Sequence, residues 1–405
     1  MTSRKPLLSV EDAVQQITQA MPEMRPETIA LENGLGRVLA NDIHARVSHP
    51  PHDVSAMDGY AVALADLDAT DTLTVIGESA AGHPFDAAIK PSTAIRIFTG
   101  AHLPPGADAI VIQEDTQPAD GNTVTILEKP SPNRYIRPKG QDFAEGDRIA
   151  AKGQALNARR LALIASAGHG RISVKTKPTV AILSTGDELV SPGTMPDHGQ
   201  IIASNGMFLD HFLKVMGAEP LNLGQIPDDP EALTQAFTKA QAADLIVTTG
   251  GASVGHHDGV AQHMTQGQGL GFWRIAMRPG KPLIFGHLGK TPMLGLPGNP
   301  VSTGVCAMVF VQAALRQMLG QSSAPQYHTA KLSHELSEND LRQDYLRATL
   351  TYDDHGQLWV HAFNKQDSGM FQSFADADAL IMRPPHAPPA RKGDRVEILP
   401  LPALI

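Results

Sequence analysis

The segment TTGGASVG, residues 248–255, directly follows the short apolar run ADLIV and combines closely spaced glycines with a serine. Glycines let the backbone turn sharply after a strand and leave N–H groups free to face an anion. In open α/β sheets, ligands bind outside the carboxyl ends of the strands. By itself, the segment fits an anion-binding loop and a plain glycine turn equally well, because short glycine motifs are weak signals.

Three further loops carry groups that suit the same kind of ligand. STGDEL (184–189) follows the apolar run TVAIL, RPGKP (278–282) places two cations around a turn, and LPGNPVS (296–302) opens a helical segment. Hydroxyls, cations, backbone donors and a helix N-terminus are the groups that hold a phosphate or a similar oxyanion. Mg²⁺ takes oxygen ligands shared with a phosphate, and three carboxylates of these loops would suit it: Asp187, Glu188 and Asp258. Four such loops in one region favour a ligand site over four unrelated turns.

Other site classes find little support in the sequence. Adjacent histidines such as His256 and His257 point in different directions on most backbones, and no matching Cys/His set lies elsewhere, so a zinc site is not expected. No G-x-x-x-x-G-K-[ST] sequence occurs, which leaves P-loop chemistry unsupported, and acyl transfer is not expected either.

Composition limits the partners. A formal charge of −9 over 405 residues gives no basic footprint, so nucleic acid is not an expected partner. No uninterrupted apolar run reaches the roughly 18 residues that span a bilayer, and the N-terminus lacks a signal-peptide core, so no membrane association is expected. The single cysteine, Cys306, excludes an internal disulfide and indicates a cytoplasmic protein.

Hydrophobic periodicity predicts how these loops are positioned. An amphipathic helix is expected over 9–21, followed by short β-type runs from about 45 to 150 and a helix at 156–167. From about 178, strand-like runs alternate with helical patterns at 205–217, 229–243 and 299–319, which predicts a parallel sheet with helices on both faces. After Gly320 the pattern returns to strands and predicts a small β-barrel or sandwich.

The β-rich region contains three loops that local composition alone marks as turns: SAMDGYA (55–61), RIFTGA (96–101) and KGQDF (139–143). In the order SAMDGYA, RIFTGA, STGDEL, GGASVG, RPGKP and LPGNPVS, the motifs closely resemble those of the molybdopterin molybdenumtransferase family, which includes the C-terminal domain of gephyrin. The resemblance covers essentially the whole chain. GGxSxG alone would be less specific, because the smaller molybdopterin adenylyltransferases share it.

The resemblance implies a multidomain α/β plus β protein, with a doubly wound α/β domain flanked by β-rich domains. The implied domains are an elongated α+β domain, with part of 27–45 packing on the α/β domain, a small β domain, the α/β molybdopterin-binding domain and a C-terminal β-barrel. Their implied bounds are 1–45 with 139–177, 46–138, 178–326 and 327–405, respectively. The assembly is implied to be a homodimer in which the β domain of the partner subunit faces the α/β pocket.

Matching residues by motif, the resemblance also implies the site. Its catalytic residues would be Asp58, Thr99, Asp142, Glu188, Asp228 and Asp258. Its ligand-binding residues would be Ser184, Thr185, Gly186, Asp187, Gly250, Gly251, Ser253, Gly255, Arg274, Arg278, Lys281, Pro297, Gly298, Asn299, Pro300, Ser302, Arg347 and Ser368. Relatives often carry lysine at positions 274 and 278; arginine keeps the charge but changes a point donor into a planar fork.

The implied activity is insertion of molybdate into adenylylated molybdopterin with release of AMP, with Mg²⁺ held by Asp187, Glu188 and Asp258. Implied partners are a second copy of the chain, the molybdopterin adenylyltransferase and proteins that handle the product. Two alternatives remain at this point. The first alternative is pterin adenylyl transfer, which needs only the α/β domain; the presence of regions 46–145 and 330–405 argues against it. The second is a gephyrin-like anchoring module, which would show a long linker or an extra interaction domain.

Overall fold

The computed structural model describes residues 7–250 and 270–402. The chain divides into two compact units, one formed by Thr28–Val174 and the other by Met1–Glu27 together with Lys175–Ile405.

The first helix, α1 (Val10–Gln19), lies within the predicted span 9–21. Its N-cap is Ser9, whose hydroxyl accepts a hydrogen bond from the Asp12 backbone N–H at 3.0 Å and so satisfies one unpaired donor of the first turn. Ala13 and Ile17 lie on its buried face and join the core of the α/β sheet.

The unit Thr28–Val174 is mostly β-structure. The strands from here to residue 175 are β1 (Pro26–Ala30), β2 (Ile43–His44), β3 (Val54–Ser55), β4 (Gly59–Val62), β5 (Thr72–Ser79), β6 (Thr93–Ile97), β7 (Ala109–Ile112), β8 (Thr116–Ala119), β9 (Thr123–Ile126), β10 (Ile136–Arg137), β11 (Arg148–Ala150) and β12 (Arg171–Lys175). Six of them form a sheet in the order β7-β4-β6-β5-β9-β8, and β1–β12, β3–β10 and β2–β11 form two-stranded pairs. Helix α2 (Ala158–Ser166) begins at Asn157, which accepts from the Arg160 N–H at 2.9 Å.

The α/β region holds the second six-stranded sheet. Its elements are β13 (Thr179–Thr185), β14 (Leu189–Val190), β15 (Ile201–Ile202), α3 (Asn205–Val215), β16 (Glu219–Ile226), α4 (Pro230–Ala240), β17 (Leu245–Thr249), β18 (Leu270–Trp273), β19 (Met277–Arg278), β20 (Ile284–Leu288) and β21 (Thr291–Leu296). The sheet order is β16-β13-β17-β21-β20-β18. Strands β16, β13, β17 and β21 are parallel, whereas β20 and β18 are antiparallel to their neighbours.

The antiparallel pair corrects the expected all-parallel sheet at one edge. Only Gly289 and Lys290 separate β20 from β21, and a parallel crossover needs a dozen or more residues. A two-residue connection is long enough only for an antiparallel hairpin. Gly289 adopts the positive φ of 62° that such a turn favours.

Helices cover both faces of this sheet, as predicted. Successive residues of β13 point to opposite sides: Val180 and Ile182 pack with α3, and Ala181 and Leu183 pack with α4. A long core helix follows β21; it is α-helical over Pro300–Cys306, forms a π-turn over Ala307–Val311 and is α-helical again over Gln312–Met318. Pro300–Met318 is long and apolar enough to cross a bilayer, but 83% of its apolar window is buried within the protein, which is the property of a core helix.

The C-terminal part is a closed barrel, which confirms the predicted fold class. Its strands are β22 (His328–Leu332), β23 (Gln343–Tyr352), β24 (Leu358–Ala362), β25 (Ala379–Arg383) and β26 (Arg395–Pro400), with a short helix at Phe371–Ala375. They lie in the order β23-β24-β22-β26-β25, and β25 pairs again with β23 to close the ring. Strand β19 extends the sheet beside β23.

One local interpretation of the sequence differs from the structure. Asp58-Gly59 has the composition of a turn, but Gly59 is the first residue of β4 and is buried. A Cβ atom at this position would overlap the Val111 carbonyl oxygen of β7. Glycine is therefore required here because two backbones approach closely, not because the chain turns.

We expect Gly59→Ala to lower the free energy of unfolding by about 1–3 kcal/mol, because the added methyl group must displace backbone rather than a flexible side chain. Gly170→Ala is the matched control in the same unit, since a Cβ atom there meets no atom within 4 Å. Urea unfolding of both variants measures the difference. Equal stability of the two variants would contradict the close-approach explanation.

Candidate functional site

A cavity of about 410 Å³ lies where β13, β17 and β21 reach their carboxyl ends. Residues from three of the predicted oxyanion-binding loops line it: Ser184, Thr185 and Glu188, then Thr249 and Gly250, then Gly298, Asn299 and Pro300. The remaining lining residues are Leu189, Ile201, Ile202, Ala203, Ser204, Asn205 and Gly369. Its volume lies in the range of roughly 300–1,000 Å³ that is typical of small-molecule sites.

Hydroxyl groups connect the ends of β13 and β17. The Thr249 hydroxyl donates to the Ser184 hydroxyl at 3.4 Å, and the Thr185 hydroxyl donates to the Thr249 carbonyl at 3.5 Å. All three residues are buried. The cavity therefore has a hydroxyl-bearing floor that the sheet holds in place.

Two glycines at this floor are required by their surroundings. Gly186 has φ 143° and Gly250 has φ 82°, a region that side chains rarely adopt. A Cβ atom on Gly250 would overlap the Thr185 carbonyl oxygen, and one on Gly186 would meet the Glu188 carboxylate. Gly250 therefore lets the end of β17 lie against the Thr185 backbone, and Gly186 leaves room for the Glu188 carboxylate of its own loop.

Three carboxylates cluster beside the cavity. The Asp228 N–H donates to the Asp187 carboxylate at 3.0 Å. The pKa of Asp228 is raised, first by burial and then by the negative charges of Asp187 and Glu188. Asp187 and Glu188 are thus near enough to Asp228 for their charges to disfavour its ionised form.

The donor set fits Mg²⁺ only if a ligand contributes as well. In the described part of the chain, no three His, Cys, Asp or Glu side chains assemble a metal site by themselves. Asp187 and Glu188 offer the one or two carboxylates with which proteins usually hold Mg²⁺, while phosphate and water oxygens complete its shell. Gly251, Ser253, Gly255 and Asp258 lie outside the described residues.

The LPGNP loop is held from two sides. The Asn205 side chain donates to the Gly298 carbonyl at 2.7 Å, and the Asn299 side chain donates to the Ser368 hydroxyl at 2.8 Å. Asn299 is the N-cap of the long core helix, but its side chain makes no capping bond. Ser302 is buried in the first turn of the helix, and the buried Pro297 accepts from the Thr303 hydroxyl at 2.6 Å.

Arg347 is buried, with 1% of its surface exposed, on the face of β23 that points away from the barrel core, and it does not line the cavity. Its guanidinium donates to the Gln366 side chain at 3.1 Å and to the Asp367 and Lys365 carbonyls at 2.7 and 3.3 Å. These carbonyls belong to the segment that carries Ser368. In this conformation, Arg347 therefore acts on the loop beside the cavity by fixing its backbone.

The three predicted cations, Arg274, Arg278 and Lys281, are exposed and are not among the cavity-lining residues. Arg278 forms ion pairs with Asp344 and, at 3.5 Å, with Asp340. Arg274 has a positive φ of 94°, a strained value for a side-chain-bearing residue, and its N–H donates to the Leu283 carbonyl at 3.2 Å.

In the unit Thr28–Val174, Asp58 and Thr99 form a preorganised pair. The Asp58 carboxylate accepts from the Thr99 backbone N–H at 2.7 Å and from its hydroxyl at 2.8 Å. These two bonds, followed by the nearby charge of Arg96, lower the pKa of Asp58. Asp58 is thus held as an oriented anion.

Asp142 lines a second cavity, an open one of about 860 Å³ within the same unit. The other titratable or cationic residues around it are His49, His52, Asp86, His102 and Arg137. Gly100, the neighbour of Thr99, also lines it. The structure thus brings Asp142 close to the loop after Thr99 in one concave surface.

Reasoning from sequence did not single out several of the lining residues. Asn205 could have been noticed, because Asn205-Gly206 opens a predicted helix just after a strand, a position where side chains often meet a ligand. Leu189, Ile201 and Ile202 gave no such signal, since isolated aliphatic residues in sequence are typical of a core.

Three family descriptions match consecutive parts of the chain. The MoeA N-terminal region (domains I and II) matches residues 8–168, the probable molybdopterin binding domain matches 181–317, and the MoeA C-terminal region (domain IV) matches 329–401.

Full-length relatives give the same result. The chain is 35% identical over 398 residues to a molybdopterin molybdenumtransferase of Haemophilus influenzae, covering 97% of this chain and 98% of the relative. It is 34% identical to a molybdopterin molybdenumtransferase of Nostoc, covering 98% and 94% of the two chains. The crystal structure of the molybdopterin biosynthesis moeA protein of Pyrococcus horikoshii OT3 superimposes with a TM-score of 0.84 at 27% identity, covering 98% of this chain and all of the other.

The carboxylate cluster makes a testable pKa prediction. We expect Asp187→Asn and Glu188→Gln each to lower the raised pKa of Asp228, because each removes a neighbouring negative charge. Since the folded chain binds this proton more tightly than the unfolded chain, the contribution of Asp228 favours folding at acidic pH. That contribution is lost as the pH rises through the folded-state pKa. NMR titration of the Asp228 carboxyl carbon measures the shift. Asp210→Asn is the control, because Asp210 pairs with Lys214 instead. An unchanged Asp228 titration in both Asp187→Asn and Glu188→Gln would contradict the cluster.

The ion pairs of Arg278 lead to a second testable prediction, which concerns stability. We expect Arg278→Lys to lower the free energy of unfolding by about 1 kcal/mol, because lysine cannot place two donors on Asp340 and Asp344 at once. Arg391→Lys, an exposed substitution elsewhere in the barrel region, is the control. Thermal unfolding is measured without ligand. If Arg278 served only the ligand, Arg278→Lys would leave the stability of the ligand-free chain unchanged.

Proposed function

The chain belongs to the molybdopterin molybdenumtransferase family, and on this premise we propose that it transfers molybdenum from molybdate into adenylylated molybdopterin with release of AMP. The observation that carries the proposal is the cavity at the ends of β13, β17 and β21, inside the region that matches a probable molybdopterin binding domain.

The cavity has the groups that this substrate requires. The Ser184 hydroxyl and the backbone at Gly250 offer hydrogen-bond donors to phosphate oxygens, and the Thr249 hydroxyl orients Ser184 by donating to it. Asn299 adds an amide that Ser368 holds in place. Fixed donors of this kind stabilise developing negative charge without reorganisation during the reaction.

Mg²⁺ is the proposed cofactor, held by Asp187, Glu188 and Asp258 together with substrate phosphate. When bound, it would neutralise charge on the phosphoanhydride that is cleaved. The supporting observation is that Asp187 and Glu188 lie close to Asp228, whose pKa is raised by burial and by their negative charges.

We further propose a homodimer in which Asp58 of the partner subunit completes each site. Asp58 is oriented and ionised by Thr99 although its carboxylate is largely open to solvent, which is the preparation expected of a residue that meets a ligand. The single, buried Cys306 suits work in the reducing cytoplasm, and we propose that location. Adenylyl transfer by the α/β domain alone and an anchoring role are not favoured, because the relatives matched over nearly the whole chain are molybdenumtransferases.

The test of the function is molybdenum insertion by the purified chain, supplied with molybdate and adenylylated molybdopterin. We expect product formation and AMP release in equal amounts, and loss of both in Asp58→Ala. The substitution removes a half-buried carboxylate that accepts two hydrogen bonds from Thr99, so the free energy of unfolding should fall by about 1–3 kcal/mol, and thermal unfolding checks that the assayed variant is folded. Asp120→Ala, an exposed aspartate of the same sheet region, is the matched control. Absence of molybdenum insertion by the wild-type chain would overturn the function, and full activity of Asp58→Ala would remove that residue from the site.

Mixing two inactive variants tests the shared site. If Asp58 of one subunit serves the pocket of the other, then an Asp58→Ala chain and a Glu188→Ala chain should together recover part of the activity. Each mixed dimer would contain one pocket with both carboxylates intact and one with neither. Failure to recover activity after verified subunit exchange would show that each chain builds its own site.

A further inference from the structure

The barrel contains a buried carboxylate whose charge is balanced by a cation of the RPGKP turn. Asp344, on β23, is 3% exposed, and Arg278, on β19, is its register partner where these two strands pair. The two side chains form an ion pair through the Asp344 Oδ2 atom. The other carboxylate oxygen, Oδ1, is buried without a hydrogen-bond partner. Among the described residues, Arg278 is therefore the one hydrogen-bond donor to this carboxylate.

The other charged groups that face Asp344 are bonded elsewhere. Asp340 accepts from the Arg342 guanidinium at 2.6 Å, and this bonding lowers the pKa of Asp340 to about 2. Arg383, on β25, donates to backbone carbonyls of the barrel. These groups act on Asp344 through space: the charge of Asp340 disfavours its ionised form, whereas Arg342 and Arg383 favour it. The ionised state of Asp344 thus depends chiefly on Arg278.

Burial and pairing have opposite effects on Asp344. Burial raises the pKa of this carboxyl, and the hydrogen bond and charge of Arg278 are the largest effects that lower it. The Arg278 side chain itself is 47% exposed, and its contacts with Asp340 and Asn339 are long, at 3.5 and 3.4 Å. An anion in solvent can therefore reach the cation on which the buried carboxylate depends.

We propose that Asp344 competes with a tetrahedral oxyanion for Arg278, and that Asp344 takes up a proton from solvent when the oxyanion binds. A buried carboxylate that loses its partner is costly, and protonation removes the charge at the least cost. The proposal rests on the proposed function for the identity of the natural anion, molybdate, and adds the residue that couples its binding to pH. Asp344 is a positioning residue, because it acts on the anion only through Arg278.

The direction of the pH dependence follows from the pKa of Asp344 in the two states. Loss of Arg278 to the anion raises that pKa further, so the anion-bound chain binds the proton more tightly than the free chain. Oxyanion affinity therefore increases as the pH falls through the pKa of the anion-bound state, and it becomes constant below the pKa of the free state. One linked proton changes the dissociation constant by at most about tenfold per pH unit.

Calorimetric titration with sulfate tests the linkage, because sulfate is a tetrahedral dianion that does not titrate near neutral pH. We expect the wild-type chain to bind sulfate at least about threefold more tightly at about pH 5 than at about pH 8. Repeating the titration in buffers of different ionisation enthalpy measures the proton uptake, and Arg278→Met should abolish it. Binding that is independent of pH, or no binding by the wild-type chain at either pH, would overturn the proposal.

Asp344→Asn removes the titrating group and keeps its shape. We expect this variant to bind sulfate more tightly than the wild-type chain at about pH 8, because the competing charge is gone, and to take up no proton through Arg278. Asp340→Asn is the matched control: it removes a negative charge beside the same arginine, but Asp340 does not titrate in this range, so proton uptake should persist. Equal proton uptake by the wild-type chain and Asp344→Asn would contradict the role of Asp344.

NMR titration of the Asp344 carboxyl carbon in the wild-type chain provides a measurement that needs no variant. Saturating sulfate should raise the pH midpoint of this titration, and an unchanged midpoint would also overturn the proposal. Thermal unfolding checks that the variants are folded. Because these measurements use neither pterin nor molybdenum, a proton-linked sulfate site in a chain that inserts no molybdenum would contradict the proposed function alone. Molybdenum insertion without proton linkage would contradict the role of Asp344 alone.

Discussion

The close contact between Gly250 and the Thr185 carbonyl is the constraint on which the site depends. No side chain fits between these two backbones, so Gly250 at the end of β17 lies directly against Thr185 at the end of β13. Gly298 continues this contact, because a Cβ atom there would lie 3.7 Å from the Gly250 Cα. Three separate strand ends therefore form one polar surface. A parallel sheet provides this geometry because all its carboxyl ends meet at the same edge.

The C-terminal barrel contributes to the same site through hydrogen bonds rather than through ligand-facing charge. Ser368 accepts from the Asn299 side chain, and its carbonyl accepts from the Val301 N–H at 3.1 Å. Arg347, buried on the outer face of barrel strand β23, donates to the adjoining Asp367 carbonyl. A buried guanidinium is stable there because each donor meets an oxygen, although burial lowers its pKa. The resemblance assigned Arg347 and Ser368 to the ligand; the observed contacts support a role in positioning Asn299, and the assignment itself stays a prediction.

Sequence patterns predicted the elements that depend on local rules. The amphipathic α1, the Asp229 cap of α4 with Pro230 in its first turn, and the alternation of strands and helices are all present. Sequence patterns gave wrong predictions where tertiary contacts determine the conformation or burial of a residue. Gly59 reads as a turn residue, but a neighbouring backbone places it in a strand, and Ile201 and Ile202 read as core although they are exposed. The burial of Arg347 was also unpredictable, because the partners of its guanidinium are backbone carbonyls about twenty residues away. The domain bounds and the individual site assignments remain predictions.

Two carboxyl groups, one in each compact unit, have opposite electrostatic environments. Thr99 supplies two donors to Asp58, which lowers the pKa of that residue and keeps it anionic. Asp228 has the opposite environment: its N–H donates to Asp187, and its own carboxyl is surrounded by negative charge that raises its pKa. An anionic substrate arriving beside Asp187, Glu188 and Asp228 would be repelled unless a cation arrived with it. The proposed Mg²⁺ would offset this repulsion, because a cation between a carboxylate and a phosphate lets acidic residues lie beside an anion-binding cavity.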